Sequence, residues 1–309
     1  MISTSSKIYV AGHNGMVGSA TIRKLKKEGY KNLIFKTSKD LDLRNQSLVD
    51  RFIIQNKPDL IINAAAIVGG IWANNEYPFK FLMENMQIQN NLINAAVNNK
   101  IENFIFLGSS CIYPRNAQQP IKEEYLLTSS LESTNQWYSL AKISGVKLIE
   151  AVRKVYGYNY VSLMPTNLYG PNDNFDPITS HVLPGMIAKF HNAKINNEKI
   201  VTLWGDGSPL REFLHVDDLA NAIYFTTQNR MENYLYNVGS NDEVSINQLA
   251  EIISEVTGYK GDIIWDPTYP NGTYRKKLDS SNFTSMGWEP KIKLYEGIRQ
   301  VYFSYIKVK

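Results

Sequence analysis

Near its amino terminus the chain reads Lys7-Ile8-Tyr9-Val10-Ala11-Gly12-His13-Asn14-Gly15-Met16-Val17-Gly18. This run predicts an apolar strand, a glycine turn and the start of a helix. In such a turn Gly12 permits the tight bend, Gly15 lets the backbone approach a pyrophosphate, and Gly18 lets the helix lie close to the sheet. The unpaired N–H groups of the helix N-terminus suit phosphates. The stretch therefore predicts a dinucleotide-binding site, although any tight strand-to-helix turn can use three glycines.

Apolar and amphipathic segments alternate through the first half of the chain. Strands are predicted at Ile8–Ala11, Leu33–Lys36, Leu60–Ala64, Phe104–Leu107 and Tyr160–Met164, and helices at Ser19–Glu28, Gln46–Gln55, Phe79–Asn98 and Gln136–Tyr156. The wholly apolar Leu60–Ala64 is typical of a strand buried on both faces. Such alternation predicts an α/β fold with a doubly wound parallel sheet, a Rossmann fold, joined by right-handed crossovers.

The regular alternation of the sequence ends at Pro165, and beyond it prolines separate shorter predicted elements. We expect a dinucleotide-binding Rossmann domain of residues 1–166 plus about 213–240. A smaller C-terminal α/β lobe of about 167–212 plus 241–309 would bind the substrate. The site is expected between the two lobes, above the carboxyl ends of the strands.

Composition excludes several classes of partner. Net charge is only +4, from 33 basic and 29 acidic residues, and no basic run with interleaved aromatics suggests nucleic acid. No leader segment is seen and no apolar run approaches the ~18 residues of a bilayer span, so we expect a cytoplasmic protein without a membrane partner. One cysteine, Cys111, excludes an internal disulfide. Four scattered histidines lack metal-ligand spacing, so no metal site is predicted.

The residues after the second predicted strand indicate which dinucleotide is bound. They read Phe35-Lys36-Thr37-Ser38-Lys39-Asp40, with no acid before Asp40. An acid at the end of this strand usually binds a free ribose, whereas lysines and hydroxyls suit a ribose phosphate. We therefore expect NADP (NADPH). The alternative is that Lys36 and Lys39 are solvated charges at a strand end.

A second constellation is Tyr138-Ser139-Leu140-Ala141-Lys142, preceded in the chain by Leu107-Gly108-Ser109-Ser110-Cys111. Four residues apart on a helix, Tyr138 and Lys142 share one face. An ammonium group close to a phenol lowers its pKa from about 10, so that the phenol can exchange a proton at neutral pH. Lys142 would also hold the nicotinamide ribose, and Ser109 would hydrogen-bond the group that Tyr138 protonates. The alternative for the Tyr-x-x-x-Lys spacing is a solvated helix face.

These residues, with further strings along the chain, resemble the extended short-chain dehydrogenase/reductase family in its nucleotide-sugar branch. The matching strings cover nearly the whole length; besides the glycine turn they are Asn63-Ala64-Ala65-Ala66, Val68-Gly69-Gly70-Ile71, Leu107–Pro114, Met164–Pro171, Asp173-Asn174-Phe175, Ser180-His181-Val182 and Arg211–Asp218. The strings with Cys111 and with Asp173-Asn174-Phe175 are specific to enzymes that convert GDP-4-keto-6-deoxymannose into GDP-L-fucose by 3,5-epimerisation and 4-reduction.

The resemblance implies a set of NADP-binding residues around the glycine turn and the strand ends. They are Gly12, His13, Asn14, Gly15, Met16, Val17, Gly18, Lys36, Ser38, Lys39, Ala64, Ala65, Ala66, Leu107, Gly108, Lys142, Pro165, Asn167, Leu168 and His181. Asn14 and Ser38 depart from the family pattern, which often has basic residues there for the ribose phosphate. Lys36 and Lys39 are expected to replace them.

The resemblance also implies the chemistry. A 4-keto sugar acidifies the hydrogens on carbons 3 and 5, because the resulting carbanion is an enolate. Inverting these centres needs a base on one face and an acid on the other, and the family uses Cys111 and His181, which both titrate near neutrality. NADPH then reduces carbon 4 while Tyr138, with Ser109 and Lys142, supplies the proton. Taken singly, Cys111 suits a small buried apolar residue and His181 a loop histidine.

Five residues would hold the GDP-sugar by the same resemblance: Asn167, Lys189, Trp204, Arg211 and Asp279. Lys189 and Arg211 suit a diphosphate, Trp204 a ring, and the Asp279 carboxylate a ribose or a base. Lys189 on a helix surface and Trp204 in the core are the ordinary alternatives. The sugar is a 6-deoxyhexose or a heptose. Relatives by resemblance are homodimers joined through helices of the first lobe, including the one that bears Tyr138.

The expected function is an NADPH-dependent 4-reductase of a GDP-4-keto sugar that also has 3,5-epimerase activity. One alternative keeps the reductase and lacks the epimerase, although it has no need of Cys111 and His181. Another is an NAD-dependent 4-epimerase that returns the hydride to the same sugar. A dinucleotide sensor without catalysis is the non-enzyme alternative, and it has no use for Ser109, Tyr138 and Lys142 together.

Overall fold

The computed structural model describes residues 1–176, 179–269 and 271–308. Its strands, in chain order, are β1 (Ile8–Ala11), β2 (Leu33–Ile34), β3 (Leu60–Asn63), β4 (Asn103–Leu107), β5 (Asn159–Pro165), β6 (Asn167–Tyr169), β7 (Ile200–Trp204), β8 (Leu210–His215), β9 (Leu235–Val238), β10 (Glu243–Ser245), β11 (Asp262–Asp266) and β12 (Arg275–Lys276). Its α-helices are α1 (Met16–Lys27), α2 (Gln46–Asn56), α3 (Ile71–Glu76), α4 (Pro78–Asn98), α5 (Gln136–Tyr156), α6 (Val182–Ile195), α7 (Val216–Gln228), α8 (Ile246–Thr257), α9 (Ser281–Thr284) and α10 (Leu294–Val308). Pro177, Ile178, Pro270 and Lys309, all within the predicted second lobe, lie outside the described residues.

Within the described ranges, six parallel strands form the main sheet in the order β2-β1-β3-β4-β5-β9. The chain runs outward from β1 to β2 and then returns to the other side of β1 to form β3, so the winding reverses between β1 and β3. Side chains alternate between two cores: Tyr9 packs in the core that α2, α4 and α5 cover, and Ile8 in the core that α1 and α7 cover. The predicted doubly wound parallel sheet is confirmed.

Most predicted boundaries agree with the observed ones to within one residue, and two larger differences lie near the glycine turn. Helix α1 begins at Met16 rather than Ser19, because the glycine turn leads directly into it with Gly15 as the N-cap. Strand β2 ends at Ile34 rather than Lys36, and it pairs with β1 over only two residues. The earlier start of α1 shortens the turn after β1, and the earlier end of β2 lengthens the irregular segment that follows β2.

Smaller sheets follow in the second half of the chain. Strand β8 pairs with β10 in antiparallel fashion and with β12 and β6 in parallel fashion, and β7 pairs with β11. Helices α6, α8 and α10 share a third core with them. Phe213–His215, predicted within the first lobe, pair with β6 in these small sheets. The lobe boundaries themselves stay a prediction. None of the helices in the described part of the chain combines the length and apolarity needed to cross a bilayer.

A buried asparagine on strand β9, at the edge of the main sheet, hydrogen-bonds to the segments that follow β4 and β12. The side chain of Asn237 is fully buried and accepts a hydrogen bond from the Tyr113 hydroxyl at 2.6 Å. Its amide nitrogen donates to the carbonyl oxygens of Ile121 at 2.9 Å and Asp279 at 3.1 Å. This network joins the segment after β4 and the segment after β12 to the same strand.

We expect Asn237→Ala to lower the free energy of unfolding by about 3 kcal/mol, because a buried hydroxyl and two carbonyl oxygens lose their partner. Urea-induced unfolding measures the difference. Asn94→Ala, at an exposed position of α4, is the matched control and should change stability by less than about 0.5 kcal/mol. Equal stability of the two variants would show that the network does not hold these segments.

Candidate active site

Four neighbouring strands of the main sheet end at one edge, and predicted functional residues follow each of them. Gly12 follows β1, Ala64–Ala66 follow β3, Gly108 and Ser109 follow β4, and Asn167 lies just beyond β5. Because the carboxyl ends of parallel strands share an edge, these segments meet above the sheet. The edge includes the point between β1 and β3 where the winding reverses, which is where open α/β sheets bind ligands.

Two positions of the glycine turn, Gly12 and Gly18, have no room for a side chain. Gly12 has a φ of +79°, and a Cβ atom there would lie 2.7 Å from the backbone of Ala64 and Ala65. A Cβ atom on Gly18 would lie 2.7 Å from the Cα atom of His13. No side chain caps α1, and its first turn has no acidic residue. The N-terminal N–H groups of α1 therefore remain available to an anion.

The residues beyond β2 leave basic charge exposed beside this turn. The imidazole of His13 stacks on the ring of Phe35 with 4.8 Å between centroids. Lys36, Ser38 and Lys39 are all exposed. Asp40 accepts a hydrogen bond from the Thr37 hydroxyl at 2.7 Å, which lowers the pKa of its carboxyl, and the charges of Lys36 and His13 lower it further. The carboxylate of Asp40, the acid that follows β2 most closely in the chain, therefore hydrogen-bonds within its own loop.

Tyr138 and Lys142 lie together at the end of β4. The Lys142 side chain is buried, and its Nζ donates to the Leu107 carbonyl oxygen at 2.8 Å. The same Nζ lies 5.7 Å from the centroid of the Tyr138 ring. Burial lowers the pKa of Lys142 to about 8. The phenol of Tyr138 is half-buried and packs edge-on against Phe81.

The pKa of Tyr138 is raised, whereas the sequence predicted that Lys142 would lower it. Desolvation is the main cause, and the nearby charge of Cys111 adds to it. The attraction expected between the Lys142 ammonium and the Tyr138 phenolate is weak in this structure. The Lys142 amine donates to the Leu107 carbonyl oxygen, and burial disfavours its charged form. Tyr138 is therefore a neutral phenol near pH 7, a form that can donate a proton.

The turn that contains Ser109 and Cys111 is hydrogen-bonded to helix α5, which contains Tyr138. The Ser109 hydroxyl accepts from the Cys111 backbone N–H at 3.4 Å. The Ser139 hydroxyl donates to the Cys111 carbonyl oxygen at 2.9 Å. Cys111 is 7% exposed and is not in a disulfide. The structure thus brings Ser109, Cys111, Tyr138 and Lys142 together.

His181 is the N-cap of α6. Its segment reaches the loop after β3, where the backbone N–H of Gly70 donates to the Thr179 carbonyl oxygen at 3.4 Å. The pKa of the His181 imidazole is lowered, first by desolvation and then by the charge of Lys276. The charge of Lys276 on strand β12 therefore disfavours protonation of the His181 imidazole.

Lys276 was not predicted as a site residue. Desolvation lowers the pKa of its amine, Cys111 and Glu132 raise it, and Arg211 lowers it. A shallow cleft beside Cys111 is also lined by Lys276, Glu132 and Asn135. The available signal was the basic run Arg275-Lys276-Lys277, but a short run of charge is common on protein surfaces.

Four of the five predicted substrate-binding residues lie on elements that follow β5. Arg211 on β8 is opposite Lys276 on β12, and Asn167 donates to the Glu212 carbonyl oxygen at 2.8 Å. The Lys189 amine donates to the carbonyl oxygen of Thr202. Trp204 is 62% exposed rather than part of the core.

Trp204 stacks almost flat on Tyr269, with ring centroids 4.5 Å apart. The loop at Asn271–Gly272 connects this aromatic pair to Arg211. The Asn271 side-chain oxygen accepts from the Asp206 N–H at 2.9 Å, and a Cβ atom on Gly272 would lie 3.6 Å from an Arg211 nitrogen.

Asp279 is separated from this group. Its carboxylate accepts from the Ser281 N–H at 3.0 Å, and its backbone N–H donates to the Ile121 carbonyl oxygen at 2.8 Å. The hydrogen bond from Ser281 lowers the pKa of Asp279, and the charge of Lys122 contributes. The described contacts do not bring Asp279 to Arg211, and its substrate role stays a prediction. Across the described ranges, no cluster of three His, Cys, Asp or Glu side chains could hold a metal ion.

Comparisons with known proteins show the family of the chain. Residues 8–239 match the model of the NAD dependent epimerase/dehydratase family. GDP-L-fucose synthase 1 of Arabidopsis thaliana is 52% identical over 307 residues, covering 99% of this chain and 95% of the relative. GDP-L-fucose synthase of Escherichia coli is 44% identical over 308 residues, covering 97% of this chain and 96% of the relative.

A solved structure has the same fold as this chain. The GDP-mannoheptose C4 reductase of Campylobacter jejuni with NADP bound superposes with a TM-score of 0.92 at 35% identity, and the match covers 99% of this chain and 100% of that one. The likeness therefore spans nearly the whole chain, including both predicted lobes. The chain belongs to the NAD dependent epimerase/dehydratase family and, within it, to the GDP-L-fucose synthases.

Proposed function

We propose that the protein is an NADPH-dependent reductase of carbon 4 of a GDP-4-keto sugar and that it also epimerises carbons 3 and 5. The observation that carries this proposal is the meeting of a neutral Tyr138 phenol with Ser109, Lys142 and Cys111 at the end of β4. The predicted enzyme class, an NADP-dependent oxidoreductase acting on a GDP-sugar, is confirmed by the relatives.

The residues at the glycine turn fit NADP. The uncapped N-terminus of α1 suits the pyrophosphate, and the cradle formed by Gly12, Ala64 and Ala65 lets it approach the backbone. Lys36 and Lys39, both exposed, would hold the ribose phosphate in place of the basic residues that the family often has at the positions of Asn14 and Ser38. When bound, NADPH supplies the hydride for carbon 4.

The residues at the end of β4 suit the reduction of a ketone. Tyr138 donates its phenolic proton to the oxygen on carbon 4, and Ser109 hydrogen-bonds the same oxygen. Lys142 would hold the nicotinamide ribose, and its amine, 5.7 Å from the centroid of the Tyr138 ring, supplies positive charge near the phenolate that remains after proton transfer.

Cys111 and His181 suit the epimerisation. A 3,5-epimerase must remove a proton on one face of the sugar ring and supply one on the other face. A thiol and an imidazole meet this requirement, because one can accept a proton while the other donates one. A 4-reductase without epimerase activity would make no use of either group.

The elements beyond β5 suit the nucleotide portion of the substrate. Arg211 and the neighbouring Lys276 provide positive charge for the diphosphate, and the exposed Trp204 offers a flat face for a ring. The curated relatives favour a 6-deoxyhexose, while the solved heptose reductase keeps a heptose as the second candidate. We assign the protein to the cytoplasm, where its lone thiol would stay reduced.

Tyr138→Phe should lower kcat of the reduction roughly 10²–10⁴-fold, because the proton donor is lost. NADPH binding should be unchanged. The consumption of NADPH with the GDP-4-keto sugar measures the rate. Tyr156→Phe, at an exposed position of the same helix, is the control and should keep full activity. Wild-type turnover by Tyr138→Phe would refute the proposed proton donor. A wild-type enzyme that consumes no NADPH with substrate would instead favour the 4-epimerase.

Cys111→Ala should abolish deuterium incorporation at carbons 3 and 5 when the enzyme is incubated with substrate in deuterated water without NADPH. The reason is that the thiol is one of the two proton-exchanging groups. NMR of the recovered sugar reports each position separately. Reduction of a substrate that is already epimerised should continue in this variant. If the wild-type enzyme incorporates no deuterium, the epimerase is absent and only the reductase remains.

The protein should be a homodimer, because packed helices α4 and α5 expose apolar side chains. Phe79 and Met83 on α4, and Trp137 and Leu140 on α5, are between 37% and 75% exposed. We expect Met83→Glu to shift the sedimentation coefficient from dimer to monomer, since it places a charge in the contact. Ile54→Glu, an exposed position on α2, is the control and should remain dimeric. A monomeric wild-type protein would rule out this assembly.

A further inference from the structure

Two aromatic side chains lie flat against each other at the surface, where strand β7 ends. The ring planes of Trp204 and Tyr269 are 8° apart, with 4.5 Å between the centroids. Trp204 is 62% exposed and Tyr269 is 43% exposed. Since Tyr269 already covers one face of the indole, so large an exposed fraction means that the other face is open to a ligand.

One backbone carbonyl holds both rings in place. Asp266 on β11 lies opposite Trp204 on β7. Its carbonyl oxygen accepts from the Gly205 N–H at 2.9 Å and from the Tyr269 N–H at 3.4 Å. Its carboxylate accepts from the Thr268 hydroxyl at 2.6 Å, which stabilises the turn between Asp266 and Tyr269. The backbone therefore sets where Tyr269 lies relative to the indole.

The same loop extends to the cation that the proposed function assigns to the diphosphate. The Asn271 side-chain oxygen accepts from the Asp206 N–H at 2.9 Å, just beyond Trp204. A Cβ atom on Gly272 would lie 3.6 Å from a guanidinium nitrogen of Arg211. A flat ring face and a phosphate-binding cation are thus joined by one short loop. A nucleoside diphosphate requires this combination.

A stacked neighbour changes what an exposed tryptophan can do. An indole that stands alone at the surface samples several rotamers, and a ligand that stacks on it must first restrict this freedom. Tyr269 restricts the Trp204 side chain before any ligand binds. It also occupies one face, so a base can stack only on the other. Both effects favour a single mode of stacking.

We propose that Tyr269 is a positioning residue that holds the Trp204 indole flat, with its open face presented to the purine base of the GDP-sugar. The proposal rests on the proposed function, in which Trp204 contacts a ring of the substrate, and it adds the residue that orients this contact. Tyr269 contacts Trp204 and acts on the base through it. The base, Trp204 and Tyr269 then form one continuous stack.

Isothermal titration with GDP and with UDP tests this arrangement without any turnover. Trp204→Ala should weaken GDP binding roughly 10–100-fold, because the base loses its stacking partner. Tyr269→Ala should weaken it about three- to tenfold, whereas Tyr269→Phe, which keeps the ring, should bind as the wild type does. Tyr156→Ala removes an exposed tyrosine that stacks on Tyr158 at the end of α5, and as the matched control it should change nothing.

The comparison with UDP separates the base from the diphosphate. A pyrimidine overlaps less of the indole than a purine does, so Tyr269→Ala should weaken UDP binding less than GDP binding. An equal loss for the two nucleotides would assign the effect to the diphosphate and overturn the proposal. Wild-type GDP affinity in Tyr269→Ala would overturn it as well.

The double variant tests whether Tyr269 acts through the indole. With Trp204→Ala present, Tyr269→Ala should cause no further loss of GDP affinity, and a further loss would contradict the proposed role. In turnover of the GDP-4-keto sugar, Tyr269→Ala should raise KM by the factor seen for GDP and leave kcat unchanged, because the base is remote from carbon 4. A fall in kcat together with weaker NADPH binding would instead indicate a structural role and refute positioning.

The two readouts keep this proposal separate from the proposed function. If the variants weaken GDP binding in the expected order but the wild-type enzyme consumes no NADPH with the GDP-4-keto sugar, the stack stands and the reductase does not. If the wild-type enzyme turns over and both alanine variants bind GDP normally, the reductase stands and the roles of Trp204 and Tyr269 are refuted.

Discussion

The site depends on the attachment of helix α5 to the end of strand β4. Two hydrogen bonds make this attachment: Lys142 donates to the Leu107 carbonyl oxygen at 2.8 Å, and Ser139 donates to the Cys111 carbonyl oxygen at 2.9 Å. Both donors come from one helical turn and both acceptors flank Ser109. The phenol of Tyr138 lies on the same turn, so its position relative to Ser109 is fixed by backbone contacts before any ligand binds.

Local patterns in the sequence were sufficient for the fold and for this part of the site. The glycine turn, the period of the apolar strands and the i, i+4 spacing of Tyr138 and Lys142 all act over short distances along the chain. Small errors occurred where an element is short or meets the turn. The start of α1 at Met16 and the end of β2 at Ile34 depend on the packing of the glycine turn, which the pattern does not reveal.

The electrostatics of the site could not be predicted in the same way. The sequence places Lys142 near Tyr138 but shows neither that the ammonium donates to a backbone carbonyl nor that the phenol is desolvated. Desolvation raises the pKa of Tyr138, opposite to the predicted direction. Lys276 reaches Cys111 only through the pairing of β12 with β8, elements far apart in the chain. Asp279 shows that closeness in the chain is also no guide. It is only three residues from Lys276, yet it hydrogen-bonds to Ser281 and to the Ile121 backbone.

Desolvation of the lysines has a consequence for binding. Burial lowers the pKa of both Lys142 and Lys276, so charging either amine costs free energy in the protein without ligands. An anionic ligand placed beside such an amine offsets that cost, and the attraction is strong because little water screens it. The charge on either amine is therefore linked to the presence of an anion beside it.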